Sequence, residues 1–190
     1  MVLYLLYFKA ELENVGEVKL RTHGIHLRIS VRNPQDGNET RDNVIVDPSE
    51  PLEPEGGESS SKEGPHHFRL KWEGSKKSST LQVLSEAEAA TALKKSKKKK
   101  NKGNKANDDG TPRSYTADDA GDWVPILAME CRGLEPYAFS PMKDEFVVMS
   151  EGGTIFDDDI ELGDGDWAEY DAENDAPISM EDISFKFEAL

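Results

Sequence analysis

Four histidines, one cysteine and clustered carboxylates are the side chains of this 190-residue chain that could hold a metal or move a proton. His23 and His26 have the two-residue gap of a knuckle ligand pair, and His66 and His67 are adjacent, so a four-imidazole zinc site is chemically available. Adjacent residues on an extended chain point to opposite faces, however, so His66 and His67 could share an ion only across a kink. Solvated loop histidines are the expected reading. Asp157, Asp158, Asp159, Glu161, Asp164 and Asp166 suggest calcium, but no register gives glycine at position six and glutamate at twelve of an EF-hand loop. A solvated acidic face is expected instead. Cys131 sits in a strand-like run next to Arg132, whose charge would favour a thiolate; buried, inert packing is the stronger expectation for a lone thiol. One cysteine excludes an intramolecular disulfide and a cysteine-rich zinc site.

No glycine-rich phosphate loop and no supported Ser/His/Asp order is present, so no catalytic residue is assigned and the chain is expected not to be an enzyme. An enzyme built on the acidic C-terminal surface would need a pocket where neighbouring carboxylates titrate apart, which sequence does not reveal.

Charge is unevenly spread. Residues 1–107 carry 19 Lys and Arg against 15 Asp and Glu, while residues 108–190 carry 4 against 23, balances of +4 and −19 within the total of −15. That total argues against the whole molecule binding nucleic acid or an anionic membrane. Eight lysines (94, 95, 97, 98, 99, 100, 102 and 105) form one tract. It reads as a solubilising expansion or as a nuclear-localisation or nucleic-acid contact, and without interleaved aromatics to stack bases sequence-specific binding is not expected.

The apolar start, residues 1–8, lacks a basic flank and a cleavage site and falls far short of the roughly 20 residues needed to cross a bilayer. Without a secretory signal, the sequon Asn38-Glu39-Thr40 is not expected to be glycosylated, and the expected compartment is the cytoplasm or the nucleus.

The elements that must position these groups read as strands: 3–12, 25–31, 44–46, 68–72, 80–84, 123–131, 145–149 and 183–187 are short and rich in branched and aromatic residues. Hairpin-turn compositions occur at 33–37 and 73–77, with Pro34 presetting one turn and Asp36-Gly37 and Gly74 suited to left-handed backbone. Residues 47–67 are a low-complexity loop with too little apolar surface to order itself. Residues 85–114 open with a short Ala-rich helix, Ser85 as its N-cap, and dissolve into the lysine-rich insertion. The expected fold is mainly β, antiparallel sheets and hairpins with little helix. An N-terminal half (1–46 and 68–84) precedes a C-terminal half (115–190), and Leu12-Glu13 and Leu134-Glu135, 122 residues apart, hint that the halves are similar.

The most specific words are Glu130-Cys131-Arg132-Gly133-Leu134-Glu135-Pro136 and Asp166-Trp167-Ala168-Glu169-Tyr170-Asp171, after an early Lys9-Ala10-Glu11-Leu12-Glu13-Asn14-Val15. In this order they resemble the eukaryotic CXXC-motif-containing zinc-binding proteins, over about 1–35, 68–84 and 115–190. The resemblance implies a two-halved β fold in which two CxxC pairs, on hairpin tips of the N-terminal half, hold one structural zinc. The pairs would fall near Val31 and Pro34 and near Trp72 and Ser75, none of them cysteine. The metal is therefore expected to be absent, its hairpins closing through their own turns. Either divergence of this half or read-through in a mispredicted gene would account for the loss. Glu130, Cys131, Arg132, Gly133, Leu134, Glu135, Pro136, Asp166, Trp167, Tyr170 and Asp171 are carried over as structural or interaction residues. The expected function is a monomeric, non-enzymatic interaction scaffold with an unidentified protein partner. The alternative is a nuclear or nucleic-acid-associated protein acting through residues 94–105.

Overall fold

The computed structural model describes residues 1–21, 24–52, 65–99 and 110–190. In chain order the strands are β1 (Val2–Glu13), β2 (Val15–Leu20), β3 (Leu27–Arg32), β4 (Thr40–Val46), β5 (Phe68–Leu70) and β6 (Ser79–Val83), followed by helix α1 (Glu86–Lys99). Then come β7 (Tyr115–Thr116), β8 (Val124–Arg132), β9 (Glu135–Phe139), β10 (Phe146–Ser150), β11 (Ile155–Phe156), β12 (Trp167–Asp171) and β13 (Ala176–Ala189). Among the described residues all the strand pairings are antiparallel, as expected.

A six-stranded sheet runs β12-β13-β1-β8-β6-β5, a four-stranded one β11-β10-β2-β7 and a three-stranded one β4-β3-β9. Exchanging β1 with β8, β2 with β9, and so on to β6 with β13, reverses the large sheet onto itself and turns β4-β3-β9 into β11-β10-β2. The two similar halves are thus a topological two-fold centred on the β1–β8 pair. They are also interleaved, because β6 pairs with β8 and β13 pairs with β1. The Leu-Glu words do not mark this symmetry. Leu12-Glu13 end β1 before the turn at Asn14, whereas Leu134-Glu135 follow the equivalent turn at Gly133.

Alternation along β1 explains why it sits at the centre. Tyr4, Leu6, Phe8 and Ala10 face the main core, while Leu3 and Leu5 face a second cluster with Leu84, Ala89, Leu93 and Ala128. Each fully buried Leu or Phe contributes about 1.5–3 kcal/mol of apolar burial. In the main core Phe8 meets Tyr115 edge to face at 4.8 Å and Phe185 at 5.3 Å.

Ala89 and Leu93, four residues apart, seat α1 on the other face of the large sheet. Ser85 caps it: the Ser85 amide and hydroxyl donate to Glu88 Oε2 at 2.9 and 2.7 Å. The helix is longer than expected, running into the lysines to Lys99, because lysine is a good helix former and cations suit a helix C-terminus. Five strands escaped the sequence reading. β2 contains Gly16, β9 carries Pro136 but lies at a sheet edge where proline is tolerated, β7 and β11 are two-residue pairings, and β12 is mostly exposed. The expected disorder of 47–67 and of the lysine insertion falls largely on 53–64 and 100–109, outside the described residues; at the loop's edges Leu52 pairs with His66. No helix among the described residues is long and apolar enough to cross a membrane.

Candidate functional site

The hairpin tips to which the resemblance assigned metal ligands lie side by side. The first tip, 33–39, joins β3 to β4; the second, 71–78, joins β5 to β6, and between them opens a cleft of about 550 Å³. Val31 is fully buried in the core, and Pro34 has no donor. Trp72 is 4% exposed and its indole N–H donates to Gly133 O at 2.7 Å, with Arg41 stacked 5.5 Å from the ring. Ser75 donates its hydroxyl to Lys77 O at 2.8 Å, tightening its own turn.

Glu39, which the sequence reading passed over, links the tips. Its Oε2 accepts from Asn33 Nδ2 at 2.8 Å and its Oε1 from the Glu73 amide, on the other tip, at 2.9 Å. The Glu73 amide, then Asn33, and more weakly the Arg41 guanidinium hold this carboxyl below the usual range. Nothing local in the sequence signals this, since the bond to Glu73 spans 34 residues. The turn chemistry matches only in part: Gly74 is left-handed at φ 70, but Gly37 is not, and the first tip closes through Asp36 Oδ1 accepting from the Asn38 amide at 3.1 Å.

The motif from Glu130 to Pro136 forms the back wall. Glu130 and Cys131 lie in β8 opposite Gln82 and Leu81, with Arg132 exposed at the strand's end. Gly133 turns the chain at φ 68, its carbonyl also accepting from Ser79 Oγ at 2.7 Å; Leu134 is buried. Glu135 pairs bidentately with Arg32 at 2.8 and 3.0 Å, and Pro136 opposes Val31.

The second motif runs into β12, the edge strand of the large sheet, which β13 and β1 separate from β8, so the two words do not build one site. Asp166 accepts from the Asp182 amide at 3.3 Å, Trp167 packs edge to face on Phe156, and Tyr170 is exposed and bonded to Asp175. Asp171 is 1% exposed and accepts from Ser150 Oγ at 2.6 Å, Thr154 Oγ1 at 2.8 Å and Asn174 Nδ2 at 2.8 Å. Burial pushes its carboxyl up, but Ser150, Asn174 and Thr154 outweigh it and hold it far below the usual range.

Among the described residues no three His, Cys, Asp or Glu side chains converge as metal ligands. His26 pairs with Asp47 at 3.3 Å, His67 Nδ1 accepts the Val83 amide at 2.9 Å, and His23 lies outside the described residues. Asp157 to Asp159 are exposed, with Lys143 paired to Asp159. Among the groups that burial perturbs are a thiol and a carboxyl inside the fold. The Cys131 thiol is pushed well up, and Glu145, 2% exposed, is raised to about 7 with Oε1 unpartnered and Oε2 accepting the Met142 amide at 2.7 Å.

Residues 5–188 match the family described as CXXC motif containing zinc binding protein, eukaryotic. This chain belongs to that family. Among curated relatives, a Drosophila melanogaster protein named UPF0587 protein CG4646 is 38% identical over 79 residues, 42% of this chain and 48% of its own. The Rattus norvegicus CXXC motif containing zinc binding protein is 35% identical over 77 residues, 40% and 48%. The matches thus span about half the length of these relatives. In fold, a hypothetical protein from Plasmodium falciparum has a TM-score of 0.74 at 23% identity over 99% of this chain and all of its own. The crystal structure of C1orf123 has 0.75 at 21% identity over 99% of both.

The family's name implies a metal that the tips of this chain do not fit. A tetrahedral zinc takes deprotonated sulfur, nitrogen or oxygen donors. Here one assigned position is core valine, one is proline, and the indole and hydroxyl of the other two are donors already spent on backbone carbonyls.

Proposed function

We propose that this family member is a non-enzymatic interaction scaffold whose N-terminal half closes without zinc and which works as a monomer on a protein partner in the cytoplasm. The observation that carries the reading is the Glu39 bridge, made by protein groups alone, between the two tips to which the resemblance assigns thiolates. A non-catalytic role is supported by how the perturbed groups are used: Asp171 is saturated by hydrogen bonds, while Cys131 and Glu145 are shut inside the core. A docking role is supported by the edge strand β12, which presents Tyr170 at 54% exposure. Elemental analysis of the purified chain tests the metal-free half of the reading: substoichiometric zinc and a melting curve unmoved by a chelator are expected. Stoichiometric zinc whose removal unfolds the chain would defeat it. Crosslinking in cell extract with native protein and a Tyr170→Ala variant tests the scaffold half, which predicts an adduct with a defined protein that the variant loses.

A second reading, nuclear or nucleic-acid association through 94–105, draws on the seating of α1, which carries exposed Lys94 and Lys95 on a helix anchored by Leu93. Deleting 94–105 would then abolish nuclear accumulation or salt-sensitive binding; no change in either removes this reading.

A further inference from the structure

The topological two-fold supplies an internal control for the tips. It exchanges the β3–β4 tip with the β10–β11 tip (151–154) and the β5–β6 tip with the β12–β13 tip (172–175). In the C-terminal half, these two equivalent tips are joined by one carboxylate. Asp171 belongs to the second of them, where it accepts from the Glu173 and Asn174 amides at 3.1 and 3.2 Å, and it reaches the first through Ser150 and Thr154. Each cradle is also floored by a turn of the other half, though through different partners. The N-terminal cradle is floored by the turn of the other half at Gly133, whose carbonyl accepts from Trp72 and Ser79. The C-terminal cradle is floored by the equivalent turn at Asn14, whose carbonyl accepts the Glu151 amide at 2.9 Å and whose Nδ2 donates to Pro177 O at 2.8 Å. Both turn residues are left-handed, at φ 68 and φ 55.

We propose that Glu39 is the cross-link of the N-terminal cradle: it stands in for a structural zinc there, by the same carboxylate bridging that Asp171 performs in the C-terminal cradle. The proposal rests on the metal-free reading above and names the group that makes it workable. A zinc ion joins two tips because each gives it donors. A carboxylate inverts the roles: each tip supplies a hydrogen-bond donor and the anion is the shared acceptor, so neutral Asn33 and a backbone amide replace thiolates. The geometry also explains why Gly133 and Trp72 belong together, since the indole fills one side of the cradle and fixes the second tip against the floor.

Hydrogen exchange on the full chain tests this, read at the amides of 71–78, with Glu39→Ala and Glu39→Gln beside the native protein and zinc content measured on each. Loss of protection at the Glu73 amide by about 10-fold or more in Glu39→Ala is expected, with the equivalent C-terminal tip unchanged. Asp171→Asn should do the reverse, loosening 151–154 and leaving 71–78 alone. Unchanged protection at Glu73 in Glu39→Ala, with zinc absent, overturns this assignment while the metal-free reading stands. Stoichiometric zinc in the native chain, with protection at 71–78 lost on chelation, overturns both. Should Glu39→Ala fail to fold, Glu39→Gln retains one acceptor oxygen and must show partial loss. Acidification of the native chain must also open 71–78, because a carboxyl held low contributes stability that disappears as pH falls through its titration. Protection unmoved by either overturns the proposal.

Discussion

The phenol of Tyr115 closes the gap that a bulge leaves at Ala10. Between Lys9 and Glu11 the β1–β13 register slips, and the Ala10 backbone turns to Tyr115 instead: its amide donates to the phenol oxygen at 3.3 Å, and the phenol proton is shared between Ala10 O at 2.8 Å and Asp119 O at 2.6 Å. Asp119, held down to about 2 chiefly by Arg113, fixes the turn through Thr116. The ring of the same tyrosine packs on Phe8, so one side chain repairs the ladder and fills the core.

Tyr115→Phe separates these roles. It keeps the ring and leaves the Ala10 amide buried and unpaired, which should cost about 1–3 kcal/mol. Phe8→Ala empties the aromatic cluster and should cost about 3–5 kcal/mol. Urea unfolding followed by tryptophan fluorescence measures both, and a Tyr115→Phe midpoint equal to the native one would show that water or a shifted backbone replaces the phenol.

Gly133→Ala meets two obstacles. The backbone is at φ 68, and a Cβ would lie 2.6 Å from Ser79 Oγ, expelling that hydroxyl from the Gly133 carbonyl. A loss of about 1–3 kcal/mol is expected. Asn14→Gly, at the equivalent turn, keeps the backbone conformation and removes only the bond to Pro177, so its melting temperature should fall less.

Glu145 should make stability fall between pH 4.5 and 7. Burial raises its carboxyl to about 7 against an ordinary 4.5, with the Met142 amide and Arg28 pulling the other way. Within that window the folded chain holds a proton that the unfolded chain has released, so raising the pH favours unfolding until both are ionised. Thermal melts of Glu145→Gln should coincide with the native protein at pH 4.5 and lie above it at pH 8; coincidence at both values would show that the carboxyl is not held neutral.

Cys131 is 1% exposed, and burial, then Glu130, keeps its thiol protonated. A thiol reagent at pH 8 should modify it about 100-fold more slowly in native protein than in denaturant. Equal rates would mean that β8 opens freely.

How much the sequence showed depended on whether the physics was local. Alternation in 3–12 and 123–131 marked the two strands at the heart of the fold, because both faces of β1 are buried and both demanded apolar residues. Ser85 announced a helix start, since a cap and its Glu88 partner are three residues apart. β12 escaped notice because Ala168, Glu169 and Tyr170 are exposed and carry no apolar alternation. The family words were legible, but their separation, one at the end of the central strand β8 and the other on the edge strand β12, was not.

Composition alone determined that this chain has no four cysteines with which to bind zinc, since a single thiol cannot form two pairs. Only tertiary structure decided which groups join the hairpin tips. Glu39 and Glu73 are 34 residues apart, and Asp171 meets Ser150 across 21. Such bonds exist only after the strands have paired, because the pairing, not the chain between, brings donor and acceptor within reach.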